Sequence, residues 1–189
     1  MKLAIFFPGI GYHTDKPLLY YSRKLARLAG YDTIDVSYGG FPSDVKGNPE
    51  KMTAAFQSAL SQTQECLKDV DFSSCEQLLF VSKSVGTAVA SAFATEKGLH
   101  PFQIFYTPVE ASFRFIQGDG IAFTGTHDPW VDTAIVELNC SRLNIPLTII
   151  PDANHSLETG DVQQDLTNLK QIMAVSYTHL RAHETLANL

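Results

Sequence analysis

Leu78-Leu79-Phe80-Val81-Ser82-Lys83-Ser84-Val85-Gly86-Thr87-Ala88 passes from an apolar, β-favouring run into a small-residue helical run with no loop between them. A turn that tight lifts the residue at its apex, Ser84, above the edge of a sheet, where a histidine and backbone donors can reach its hydroxyl. Small residues two positions to either side allow strand and helix to approach, and here they are Ser82 and Gly86, in an SxSxG pattern. Ser84 is therefore the candidate nucleophile. The competing reading is a serine that only caps the helix beginning at Val85.

Outward from this turn, apolar runs at residues 3–7, 33–37, 77–81, 102–106, 120–124 and 146–150 alternate with helix-like segments. That alternation predicts an α/β domain, a doubly wound and mainly parallel six-stranded sheet with helices on both faces. The first helix is expected over 15–29, with Thr14 or Asp15 as cap, Pro17 in its first turn, Gly30 past its end and Leu18, Leu19, Leu25 and Leu28 as its apolar face. Asn48-Pro49-Glu50 opens a second helix reaching about residue 69, residues 85–97 form a third closed by Gly98, residues 129–143 a fourth, and a last one starts near Asp161. The longest connection, 39–47, has the glycine, proline and serine content of a surface loop. In such a sheet the functional crevice lies at the carboxyl ends of the strands, where the winding reverses.

Bulk composition narrows the classes. With 189 residues, 44% of them apolar, the chain suits one domain with a full core. A net charge of −6 and no run of lysine or arginine argue against a nucleic-acid partner. Cys66, Cys75 and Cys140 are odd in number and widely spaced, which suits reduced thiols in a cytoplasmic setting better than a disulfide framework or a zinc site. The apolar stretch 3–7 is too short for a signal peptide, and no later stretch could span a membrane. Residues 175–185 resemble the translation of an adapter used in preparing sequencing libraries, so 1–174 is expected to be the domain and 175–189 a non-native tail. His179 and His183, four apart, would otherwise suggest a helical metal pair.

A serine hydroxyl becomes an effective nucleophile when a base takes its proton and a third group fixes the base's tautomer. His155 follows the last predicted strand and Asp128 the fifth, which gives the chain order Ser, Asp, His. Asp128 could alternatively be only a helix cap, leaving Glu110 after the fourth strand as substitute acid, and His155 a loop histidine bonded to backbone. His13, His100 and His127 read as surface or structural groups. Gly9-Ile10-Gly11 lacks the third glycine of a dinucleotide turn, where Thr14 stands instead, and Lys83-Ser84 lacks the glycines of a phosphate-binding loop.

With these residues in place, the chain from Leu3 to about Ala174 resembles the α/β-hydrolase superfamily, as a small, lidless member. The resemblance implies Ser84 as nucleophile, Asp128 as acid and His155 as base. It also implies that the six strands match the last six of the usual eight, in the order 2-1-3-4-5-6. The backbone N–H groups of Val85 and Ile10 would form the oxyanion site, with Pro8 standing where relatives often carry the histidine of HGxxG. Only about a dozen residues separate the fourth and fifth strands, too few for a large lid, and a short helix around 110–116 is expected there. Tyr12, Phe113 and Trp130 either wall an acyl pocket or fill the core, and Arg114 either meets an anionic group or faces solvent. The implied activity is hydrolysis of a small-molecule ester, thioester or related acyl compound, with no metal or organic cofactor. A noncatalytic binding protein on the same fold and an acyltransferase with the same residues are the alternatives.

Overall fold

The computed structural model describes residues 1–41, 45 and 47–186. The apolar runs become β1 (Lys2–Phe7), β2 (Asp32–Asp35), β3 (Gln77–Lys83), β4 (Phe102–Tyr106), β5 (Gly120–Gly125) and β6 (Leu147–Ile150). They form one sheet in the order β2-β1-β3-β4-β5-β6, and every neighbouring pair is parallel. The helices are α1 (Pro17–Leu28), α2 (Pro49–Cys66), α3 (Val85–Lys97), α4 (Thr133–Arg142) and α5 (Val162–Leu186). The chain winds outward from β1 to β2, then returns past β1 to β3 and runs on to β6, so the winding reverses between β1 and β3. A crevice at the carboxyl ends of these two strands follows from that reversal.

Alternation along each strand sends side chains to two cores. Ala4, Phe6, Leu79, Val81, Ile104 and Phe123 pack beneath Leu18, Leu19 and Ala26 of α1 and Ile172 and Leu180 of α5. On the other face Leu3, Ile5, Phe7 and Phe80 meet Ala59 of α2 and Val89, Ala90 and Phe93 of α3. Phe105 and Ala122 continue that face under Val136 and Cys140 of α4.

The helix ends follow their local chemistry, with three departures from expectation. Asn48 accepts the Lys51 N–H at 3.0 Å and starts α2, and Gly98 takes a left-handed φ of 63° to close α3. At α1, however, neither Thr14 nor Asp15 is the cap residue, because the chain turns once more through a His13–Lys16 bond and Lys16 precedes the first helical residue. The buried Tyr12 hydroxyl takes over the side-chain cap's work by accepting the Leu18 N–H at 3.1 Å. This rotation leaves Leu28 exposed at 72% and turns Ser22 and Ala26 inward. α2 stops at Cys66, and α4 starts at Thr133 rather than at Pro129, with Asp132 as its cap.

The three cysteines are unpaired, no cluster of metal-ligating side chains occurs among the described residues, and no helix there is long and apolar enough to cross a membrane. α5 runs on through the adapter-like segment. There the Ser176 hydroxyl lies 3.1 Å from the buried Tyr106 hydroxyl, and Leu180 is 2% exposed.

A chain ending at Ala174 is expected to keep the sheet and to lose these anchors together with the packing of Val175 and the His183 contact with Phe102, of which one buried leucine and one buried hydroxyl partner account for about 2–4 kcal/mol of stability. Urea unfolding of the two forms measures it. A truncated chain with no cooperative transition would make residues 175–186 an integral part of the fold.

Candidate active site

β3 ends at Lys83 and α3 begins at Val85, so Ser84 alone makes the turn. It does so with φ 56° and ψ −125°, a region an L-residue occupies only when its surroundings hold it there. The Ser84 N–H donates to the Tyr106 carbonyl at 3.0 Å, and the Ser84 carbonyl accepts from the Thr87 N–H at 2.9 Å and the Thr87 hydroxyl at 2.6 Å. Gly86 is required on space alone: a Cβ there would sit 2.4 Å from the carbonyl oxygens of both Phe7 and Pro8. Ser82 serves in the other small-residue position, buried, with its hydroxyl directed at the Ile104 carbonyl.

Two further loops leave the same edge of the sheet. After β5, Thr126 N–H and His127 N–H donate to the carbonyls of Ile150 and Ala153, and Asp152 N–H donates to the Thr126 hydroxyl. The loops after β5 and β6 are so close that a Cβ on Gly125 would lie 2.1 Å from the Ala153 oxygen. Their side chains meet at Ser84. His155 Nε2 is 2.8 Å from Ser84 Oγ, and His155 Nδ1 is 2.7 Å from an Asp128 carboxylate oxygen. The Asp128 carboxylate has no solvent exposure, and its second oxygen accepts the Trp130 N–H at 2.8 Å. The Trp130 ring stacks on the His155 imidazole with centroids 5.2 Å apart, while the His155 carbonyl accepts the Thr107 hydroxyl. Glu110 is exposed and lies outside the cavity wall, so Asp128 is the carboxylate brought to the imidazole. His13, His100 and His127 are exposed.

The loop after β1 folds over the serine. Gly9 and Tyr12 exchange N–H to carbonyl bonds of 3.1 and 3.2 Å, which puts Ile10 and Gly11 at the tip of a tight turn. The N–H groups of Ile10 and Val85 take no part in the hydrogen bonds among the described residues.

Ser84 and His155 open into a cavity of about 440 Å³. Tyr12, Trp130 and Arg114 line it, whereas Phe113 is turned into the core with Phe105 and Val136. Glu110–Arg114 is a 3-10 turn, and its geometry directs Phe113 inward and the following Phe115 to the cavity, where Phe115 stacks on Phe56 of α2 at 5.3 Å. Met52, Phe56, Val109 and Phe115 are wall residues that sequence reasoning missed. Met52 and Phe56 stand four apart on α2, a spacing that marks one helix face but not what it faces.

Lys83 was also missed, although a cation ending an apolar strand is itself a signal. It is 1% exposed, lines the cavity, and holds its Nζ 5.1 Å from the Tyr12 ring centroid. Burial pushes its pKa down to about 7, against the opposing pull of the Asp128 and Glu158 charges. Burial likewise raises the Tyr12 phenol.

No family model matches the chain, and no curated protein does. Solved structures do. A protein of unknown function from Agrobacterium tumefaciens, described as a candidate α/β hydrolase, superposes with TM-score 0.67 at 15% identity, covering 97% of this chain and 86% of that one. The chain has the α/β-hydrolase fold. An α/β serine hydrolase without a lid from Xanthomonas campestris matches with TM-score 0.62 at 14% identity, over 95% of this chain and 81% of its own. Est1E of Butyrivibrio proteoclasticus, solved with ferulic acid bound, matches with TM-score 0.64 at 13% identity, over 94% and 90%. On this fold the edge that carries Ser84, Asp128 and His155 is the one at the carboxyl ends of the strands.

Lys83 makes stability depend on pH in a defined direction. Its folded-state pKa of about 7 lies below the unfolded value near 10.4, so between the two the unfolded chain binds more protons and stability rises with pH. Lys83→Met is expected to stabilise the protein most below about pH 7 and progressively less up to about pH 10. Urea midpoints at either end of that window check it, and an equal gain at both ends would contradict a depressed lysine.

Proposed function

We propose that the chain is a serine hydrolase that cleaves small ester, thioester or related acyl compounds through an acyl-enzyme on Ser84. The observation carrying this reading is the unbroken hydrogen-bond chain from Ser84 Oγ through His155 to Asp128, opening into the cavity. His155 Nε2 takes the Ser84 proton as Oγ attacks the acyl carbonyl, and Asp128 holds Nδ1–H and offsets the positive charge that forms on the ring. The carbonyl oxygen becomes an oxyanion facing the N–H groups of Val85 and Ile10. Collapse of that intermediate expels the alcohol or thiol, which leaves with the proton from Nε2, and water then repeats the sequence to release the acid.

Two features support small substrates. The cavity volume of about 440 Å³ lies toward the lower end of ligand pockets, and only a 3-10 turn and its short flanks connect β4 to β5. Est1E's bound ferulic acid is an acid of fitting size. Three unpaired cysteines are in keeping with a reducing compartment such as the cytoplasm.

Incubation with an uncharged fluorophosphonate is expected to add one phosphonyl group, on Ser84, as read by peptide mass spectrometry. The folded protein failing to react there would favour a noncatalytic binding role. Asp128→Asn is expected to lower turnover of a responsive ester by about 10⁴-fold while leaving the fold intact. Glu110→Gln is expected to leave it unchanged. The reverse result, activity lost with Glu110 and kept without Asp128, would reassign the acid.

A further inference from the structure

The cavity wall carries an unusual set of charges. The whole chain holds 20 acidic and 14 basic residues, yet the described residues lining the cavity include Lys16, Lys83 and Arg114 and no aspartate or glutamate. The three cations come from separate parts of the chain: the loop entering α1, the last residue of β3, and the 3-10 turn after β4. Lys16 and Lys83 both hold their Nζ atoms over the ring of Tyr12, at 5.5 and 5.1 Å from its centroid.

Lys83 decides the matter. Its side chain is among the most completely buried in the protein, and among the described residues no carboxylate pairs with it and no hydrogen bond reaches its Nζ. The carboxylate that pulls on it most, Asp128, is already bonded to His155 and to the Trp130 N–H. An ammonium removed from water without a partner is among the costliest groups a protein can bury. A methionine would fill the same space without that cost. An anion entering the cavity would supply the missing partner.

We propose that this cavity takes acyl substrates bearing an anionic group, a carboxylate or a phosphate, seated against Lys83 with Lys16 and Arg114 as further cations. The proposal rests on the hydrolase reading for what happens to the substrate, and on the cavity alone for what binds. Lys83 and Ser84 line the same cavity, so the anionic group and the acyl carbon share it. Aromatic and aliphatic walls from Phe56, Phe115 and Val109 exclude water and strengthen the attraction.

Charge state ties binding to pH. Lys83 faces Tyr12 from the loop after β1, Lys16 ahead of α1, Asp128 after β5 and Glu158 after β6, with His155 across the cavity. Burial leaves it half-protonated at about pH 7, and an anion beside it favours the protonated form. Anion binding therefore takes up a proton above that pH, and the dissociation constant is expected to rise by up to about tenfold per pH unit until the bound form also deprotonates.

Two pairs of esters separate the sources of charge. Monomethyl glutarate against methyl pentanoate places a carboxylate on the acyl side. 1-Acetylglycerol 3-phosphate against 1-acetylglycerol places a phosphate on the leaving-group side. At about pH 6.5, where Lys83 is mostly charged, at least one anionic member is expected to exceed its neutral counterpart by about tenfold or more in kcat/KM. That ratio should fall toward one in Lys83→Met and return in Lys83→Arg, which should also flatten the pH dependence above 7. Ratios of one or less in both pairs, or a preference that Lys83→Met leaves intact, would overturn the proposal.

Calorimetric binding of glutarate and of inorganic phosphate to Ser84→Ala protein gives a readout that needs no turnover. No binding of either anion there would overturn the proposal even if neutral esters are hydrolysed. Binding that depends on Lys83 without any reaction at Ser84 in the native chain would uphold it while the hydrolase reading fails. Should Lys83→Met not fold, Lys16→Met at the exposed rim replaces it, with a smaller loss of anion preference expected and none counting against the cluster.

Discussion

The packing of the Phe7 and Pro8 carbonyls against Gly86 is the contact on which the site depends. It lets the loop after β1 lie across the start of α3, with Gly9 packed against Ser84. It also closes the space in which the strand-to-helix turn could relax. Ser84 keeps a φ of 56° that costs about 1–3 kcal/mol in backbone strain. The bonds to Tyr106 and Thr87 offset that strain, and Thr87 is itself tied to the Ser112 hydroxyl at 2.6 Å. The position of Ser84 is thus set by the neighbouring strand and by the 3-10 turn beyond it, not by the turn alone.

The carboxylate and imidazole that meet Ser84 are placed by an equivalent approach at the other end of the sheet. Asp128 and His155 lie 27 residues apart in sequence, but the contact of Gly125 with Ala153 makes their loops a single unit. A bulkier residue at Gly125, the last residue of β5, would push the two loops apart at the end of the strand pair. Trp130 joins the two functions of this unit, since its N–H occupies one Asp128 oxygen while its ring covers the His155 imidazole.

Strand positions, the sheet order and the three polar residues at its edge were all legible in the sequence, because continuous apolar runs buried on both faces and short polar turns leave strong local signals. The order of strands additionally needed the resemblance, since alternation alone permits several windings. Side-chain direction in irregular segments was not legible. Phe113 and Phe115 are near neighbours of one composition, and only the 3-10 geometry sends one to the core and the other to the cavity. The cap of α1 failed for a related reason: the oxygen that replaces a capping side chain belongs to Tyr12, whose route to Leu18 N–H depends on the loop's fold. The wall given by Met52 and Phe56 depends on how α2 crosses the sheet, a tertiary fact with no counterpart in local pattern.

Asp128 and Lys83 are both hidden from solvent and of opposite charge, yet they do not form the ion pair that such burial usually demands. The reason is directional. Asp128 gives one oxygen to the imidazole and the other to a backbone N–H, which fixes the plane of the carboxylate. If Lys83 captured that carboxylate, His155 would lose the group that sets its tautomer. Keeping the two charges apart therefore preserves the His155 contact with Ser84 and leaves a desolvated cation facing the cavity, at the cost of stability below neutral pH. A fold that needed only the hydrogen-bond chain would have no use for that cation, whereas under the proposed reading a ligand of opposite charge supplies its partner.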